Sequence, residues 1–258
     1  MTHADVDHFA GNSYLRKTMK RALFAAHELD KPLIEKPESI INDRYNMFSR
    51  LHKISLPKEQ ADYLRTNLGE GEPLDLILKG GEEIRLGYDW YVRILHTPGH
   101  THGHISLYDQ KNNALFVGDA VQGKTYVTID GNPAFPPTYY CIDQYIRTID
   151  LLRRLKPKYL FTAHYAIMEG DAIMKFLDES ERFGKELEQE VMKVLKEDRS
   201  MSMIEIIKAI HKSLGDWKDE DLVILTLCCP LSGHLERLIE KGVIRSEIKN
   251  DLLRYYLK

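Results

Sequence analysis

The sequence predicts a mixed α/β (α+β) chain that continues into a mostly helical tail, and three observations carry that prediction. Short apolar runs of strand character, bounded by Gly, Pro and Asn, recur between residues 74 and 163. An amphipathic stretch of helical period, 142–155, separates the last two of them. From residue 171 onward the pattern is helical almost to the end.

Taken in order, 13–29 carries apolar residues near helical spacing (Tyr14, Leu15, Met19, Leu23, Phe24), Leu33-Ile34 is short enough for a strand, and 55–68 is polar on one side only. Residues 74–79 and 83–86 read as two strands joined by a turn at Gly80-Gly81. Residues 90–96 and 104–109 follow as strands, then 114–117 ending at Gly118-Asp119. The helix 142–155 stops near Pro157, and a buried strand over 159–163 ends at His164. The tail reads as a long Glu/Lys-rich helix over 171–198, three shorter helices over 203–214, 220–228 and 231–241, a stop at Gly242, and a strand pair over 243–246 and 252–257. A boundary near residue 184 divides a domain 1–184 from a smaller one, 185–258.

Composition bounds the function. The chain is 43% apolar and 29% charged, which excludes wholesale disorder. A net charge of −3 gives no general attraction to nucleic acid or anionic membrane. The longest apolar run, 222–231, falls short of the ~20 residues that span a bilayer, so no membrane partner is expected. The cysteines Cys141, Cys228 and Cys229 lack CxxC spacing and leave an odd thiol, which fits a reducing cytoplasm better than a disulfide framework. No basic-then-apolar leader opens the sequence, so the expected location is cytoplasmic.

The chemistry lies in the histidines. His3-x-Asp5-x-Asp7-His8 puts four potential ligands in six residues, and Gly99-His100, Gly118-Asp119 and Ala163-His164 add three more. In extended chain His3 and Asp5 project to one side. A catalytic ion keeps about three protein ligands and an open position, and two such ions ~3.5–4 Å apart share a bridging carboxylate and hydroxide. The seven residues divide accordingly into His3, Asp5 and His100 for one ion, Asp7, His8 and His164 for the other, and Asp119 as bridge. A terminal segment frays unless another segment holds it, so this site needs an anchor elsewhere.

His-x-Asp-x-Asp-His, then Thr97-Pro98-Gly99-His100-Thr101-His102-Gly103-His104, then Leu115-Phe116-Val117-Gly118-Asp119, then the late His164, resembles the metallo-β-lactamase superfamily from residue 1 to about 180. The resemblance implies an αββα sandwich with the metals in a cleft at the sheet edges, and the two metal sites just described. It implies zinc first; Asp5 stands where the family usually has His, which hardens the site and admits manganese or iron. With two divalent ions, the carboxylates of Asp5, Asp7 and Asp119 and a bridging hydroxide, the cluster is about neutral. Family members carry further strands before the first motif, so the expectation is a chain N-terminally truncated with respect to them. His102 and His104 are expected to orient ligands, and His96 to pack.

The expected activity is metal-dependent hydrolysis with Asp7 orienting the nucleophile, on a thioester, lactone or other small ester, because 97–108 is similar to hydroxyacylglutathione hydrolase-like and lactonase-like members. The alternatives are a nuclease or phosphodiesterase of the same fold, a non-catalytic regulatory protein with a vestigial site, and iron-dependent oxygen or sulfur chemistry. The tail resembles a winged helix, but residues 185–258 hold thirteen Lys/Arg against fourteen Asp/Glu, so phosphate binding is poorly supported. Packing on the catalytic part, capping its pocket or forming a homodimer suits the tail better.

Overall fold

A computed structural model describes all 258 residues. Its centre is a six-stranded sheet in the order Met168–Glu169, Tyr159–Thr162, Ala114–Gly118, Ile105–Asp109, Trp90–His96, Glu83–Gly87. Neighbours are antiparallel except Ala114–Gly118 with Tyr159–Thr162, which run parallel through the crossover helix Ile142–Leu155. The mixed α/β class is therefore the observed one.

This topology places the functional loops. Trp90–His96 and Ala114–Gly118 are both antiparallel to the strand between them, so they point the same way, and Tyr159–Thr162 joins them. Three strands thus end at one sheet edge and release His100, Asp119 and His164 there. The N-terminal segment lies across the same edge, where Ile105 N–H donates to the Thr2 carbonyl at 2.9 Å. Gly118, at φ +49°, makes the turn, and a Cβ there would meet Thr2 Oγ1 at 3.0 Å.

Several local expectations change. Residues 74–79 and 83–86 do not pair with each other. Leu76–Leu78 runs parallel to Ala25–His27 in a separate two-stranded sheet, whereas Glu83–Gly87 joins Trp90–His96. The Glu82 carboxylate accepts the N–H groups of Lys79 and Gly80 (2.7 and 2.9 Å), so the two glycines carry the chain between sheets instead of reversing it. Leu33-Ile34 is helical, within Lys31–Glu35, because Pro32 presets the first turn. The helical stretch expected over 13–29 is confined to Asn12–Thr18. Beyond it Phe24 N–H bonds Asp75, and Ala25–His27 becomes a strand.

In the tail, the two helices expected on either side of Pro230 are one, Glu220–Glu240. An interior proline costs ~3 kcal/mol. Leu227, Leu231, Leu235 and Leu238 are all buried, and burying a leucine contributes ~1.5–3 kcal/mol, so packing outweighs the break. This helix has the length and composition of a membrane span, but its apolar side chains line the protein core. Residue 184 falls inside the unbroken helix Asp171–Val194, and one apolar cluster runs from Phe48 and Leu95 through Leu187 to Tyr255. A strand pair, Ile244–Lys249 with Leu252–Leu257, closes the chain and is joined by Met201–Ser202.

Gly233 brings the last helix against the loop that carries Tyr139 and Tyr140, and a Cβ there would lie 2.2 Å from the Tyr140 carbonyl. Gly233→Ala is expected to lower stability by about 1–3 kcal/mol in urea titration, through forced displacement of helix or loop. An unchanged midpoint would show that this contact does not set the helix position.

Candidate metal centre

The N-terminal segment is held at several points. The terminal amine donates to the Ala25 carbonyl at 2.6 Å, and Val6 N–H to the Tyr45 hydroxyl at 3.3 Å. The central anchor is Asp30. Its buried carboxylate accepts Ala4 N–H (2.9 Å), Thr101 Oγ1–H (2.8 Å) and Gly103 N–H (3.0 Å). Asp30 therefore ties the first ligand motif to the loop that bears His100.

All seven candidate residues lie in one cluster. His3, His100 and Asp119 form a buried group whose donor atoms lie within 4.8 Å of one another; Asp7, His8 and His164 form a second, more open one. His3 Nε2 is 3.2 Å from His100 Nε2. Asp7 Oδ2 is 3.4 Å from His8 Nε2 and 3.5 Å from His164 Nε2. Asp119 Oδ2 stands between the groups, 3.8 Å from His3, 3.4 Å from His8 and 3.2 Å from His164. Donors bound tetrahedrally at about 2.0–2.1 Å are spaced by about 3.3 Å. The residues present thus fit divalent ions in both chemistry and spacing.

Asp5 is placed differently. Its Oδ2 lies 2.8 Å from His100 Nε2 and 3.5 Å from His3 Nε2, within reach of the first group. Its carboxylate is also bound by Arg44, through Nε to Oδ1 and through Nη2 to Oδ2 at 2.8 Å. Although burial opposes the charge, the Arg44 guanidinium and the two histidines hold this carboxyl well below its ordinary range. Charge counting from sequence treats Asp5 as an uncompensated negative charge, whereas Arg44 cancels it.

Further side chains aim the ligands. Thr2 Oγ1 is 3.1 Å from His3 Nδ1, and the Thr138 carbonyl is 2.9 Å from His100 Nδ1. Each can accept the Nδ1–H, which frees the Nε2 lone pair for the cluster; the Gln122 amide nitrogen also lies 2.9 Å from His100 Nδ1, its oxygen accepting Thr138 N–H. His104 is not a ligand: its Nε2 accepts Asp119 N–H at 3.3 Å, and its Nδ1 lies 3.0 Å from Thr97 Oγ1. His96 stacks on His27, and its Nε2–H donates to the His102 carbonyl at 2.8 Å. His234, which has no motif around it, bridges the Tyr139 hydroxyl (3.0 Å) and Glu188 (3.1 Å).

The electrostatics differ between the groups. Burial pushes His3 down to about 4, so it is neutral. Burial also opposes charge on His8, but Asp119 and Asp7 outweigh it and raise His8 to about 10. Asp119, with burial working against it, is lowered by His164 and His8, and it raises His164 in turn. An ion entering the second group displaces those protons.

Arg44, Asp30, Thr2 and Thr138 were missed from sequence. Arg44 sits in the single π-helical turn Ile41–Tyr45, and Asp30 before Lys31-Pro32 reads as an ordinary turn residue. Neither carries a local signal.

Residues 1–164 match the family model described as "Metallo-beta-lactamase superfamily". A "Beta-lactamase-like protein 2 homolog" of Caenorhabditis elegans is 25% identical over 143 residues, covering 53% of this chain and 44% of that protein. "Hydroxyacylglutathione hydrolase GloC" of Haemophilus influenzae is 26% identical over 122 residues, 47% of this chain and 48% of that one. This chain thus spans about half the length of the curated relatives it matches. A metallo-beta-lactamase family protein of Thermus thermophilus superposes over 100% of this chain and 78% of its own with a TM-score of 0.71 at 19% identity, which is a likeness of fold. With the family model covering well over half of its residues, and the ligand motifs converging on one sheet edge, the chain belongs to the metallo-β-lactamase superfamily.

Proposed function

We propose that the chain hydrolyses a small ester or thioester, lactones included, at a two-metal centre held by His3, His100 and Asp119 on one side and Asp7, His8 and His164 on the other. The observation that carries this reading is the position of Asp119: one carboxylate oxygen lies within 3.8 Å of ligand nitrogens from both groups. Divalent ions held by these residues would supply Lewis acidity toward the substrate oxygen and would acidify a water toward attack near neutral pH.

The chain's own residues do the rest. Asp119, 6% exposed, is enclosed and suited to bridging, whereas Asp7, 59% exposed, faces solvent. The Asp7 carboxylate oxygen not turned toward His8 and His164 can therefore take a proton from the attacking water and pass it to the leaving oxygen or sulfur. Thr2 Oγ1 and the Thr138 carbonyl can accept the Nδ1–H of His3 and His100 when their Nε2 atoms serve as ligands. Arg44 neutralises Asp5, so the centre faces two uncompensated carboxylates, not three. This leaves the donor set less anionic and favours zinc over manganese or iron. Free thiols at Cys141, Cys228 and Cys229 fit a cytoplasmic setting.

Nucleic acid is a poorer substrate on the same grounds. Arg44 is the one basic residue lining the cavity beside His100, and Asp5 occupies it. The groove on the tail's sheet mixes Arg199, Lys249 and Arg254 with Glu197, Asp198 and Glu247. Neither surface offers the concentrated positive charge that phosphate binding needs.

Elemental analysis of the purified chain is expected to find about two equivalents of divalent metal, zinc foremost. His164→Ala should hold about one equivalent and Asp119→Ala less than one. A wild-type content of one or none would contradict the two-ion reading. Asp119→Ala and His100→Ala should each lower kcat on a thioester or lactone at least about 10³-fold with unchanged circular dichroism. Retention of most activity in both would overturn the mechanism.

A further inference from the structure

Beside the candidate centre lies a cavity of about 160 Å³ that the metal chemistry does not use. Asp5 and His100 line it, so it opens onto the first ligand group. Its opposite boundary comes from the tail: Leu222, Leu225, Thr226 and Cys229 stand at i, i+3, i+4 and i+7 of the helix Glu220–Glu240 and present one face to it. Phe48 and Leu56 complete the apolar wall.

We infer that the tail helix builds the specificity pocket of the enzyme, and that this pocket takes an uncharged hydrocarbon group of about four to six carbons on one side of the scissile ester. The inference rests on the ester reading for the reaction and on the cavity itself for the ligand. The size sets the carbon count: apolar cavities of about 150 Å³ hold a benzene-sized group. The lining sets the polarity. The leucine and phenylalanine side chains offer no hydrogen bonds, the polar Gln60, Thr138 and Thr226 in the lining carry no charge, and the one cation present has its Nε and Nη2 engaged by Asp5. A phosphate or carboxylate entering there would lose its hydration without gaining a free counter-charge. A hydrocarbon group loses nothing and releases water from the apolar wall.

Position adds a second argument. Gly233, one helical turn beyond Cys229, fixes the helix against the Tyr140 carbonyl, and Tyr140 is itself part of the cavity lining. The Cys229 thiol bonds the Tyr140 hydroxyl at 3.4 Å, so the wall is tied to the loop that carries Thr138, the partner of His100. The tail thereby sets the distance between the pocket and the metal ligands. Its balanced charge, unsuited to phosphate, is of no consequence for that task.

The test uses two substrate series on the metal-loaded chain: p-nitrophenyl esters of increasing acyl length, and acetate esters of increasing alcohol length. In one series kcat/KM should peak at about four to six carbons and fall about tenfold or more by about ten. Leu225→Trp, at a half-exposed position that tolerates size, should lower the hexyl-to-acetyl ratio of kcat/KM at least about tenfold. Leu225→Ala should move the optimum to longer chains. Hexan-1-ol added to the metal-free protein should shift the methyl resonances of Leu222 and Leu225, and Leu225→Trp should abolish those shifts. Flat profiles in both series, unchanged ratios in both variants, or methyl resonances unmoved by hexan-1-ol would overturn the pocket. No turnover of any ester, with hexan-1-ol still binding, would instead sink the ester reading and leave the pocket in place.

Discussion

The buried Asp30 carboxylate is the interaction on which the site depends. Burying a charge costs several kcal/mol unless donors replace its water, and no cation pairs with this one. Instead two backbone N–H groups and one hydroxyl converge on it from two separate segments. The arrangement works only because residue 103 is glycine: a Cβ there would sit 2.5 Å from Asp30 Oδ1. A carboxylate with that requirement fixes both segments at once, and His3 and His100 come within 3.2 Å as the result.

The sheet supplies the remaining order. Parallel alignment of Ala114–Gly118 with Tyr159–Thr162 releases Asp119 and His164 at one edge, and their carboxylate–imidazole contact of 3.2 Å follows from that register. The two ligand groups then differ by exposure: one is buried, with burial keeping His3 neutral, and the other is open, with His8 held protonated by Asp119 and Asp7. The tail helix adds an apolar wall at the buried side. The exposure of the open group and the apolar wall beside the buried group are therefore properties of different parts of the chain.

Much of this was legible in the sequence where the pattern is local and periodic. The helices Ile142–Leu155 and Met203–Leu214 carry their apolar faces at helical spacing and end at Pro157 and Gly215. The strands Trp90–His96 and Ile105–Asp109 show in their composition. The ligand-bearing residues announce themselves as His and Asp at the ends of such runs. What stayed hidden depends on distant partners. Asp30 and Arg44 carry no motif, and their roles arise only once residues 26 and 39 positions away are brought beside them. Pro230 reads as a helix break because the burial that overrides it comes from the fold and not from its neighbours. The Gly80-Gly81 pair reads as a hairpin because the competing partner of 76–78, at 25–27, is not adjacent in sequence.

The most direct test of the account is the zinc affinity of Asp30→Ala, measured by competition with a chromophoric chelator. Asp30 lies outside both ligand groups, and its carboxylate is taken up by Ala4, Thr101 and Gly103. If it holds the first motif against the His100 loop, its loss should weaken zinc binding about 10- to 100-fold while the circular dichroism spectrum stays that of the wild type. Wild-type affinity in this variant would contradict the claim that Asp30 assembles the site.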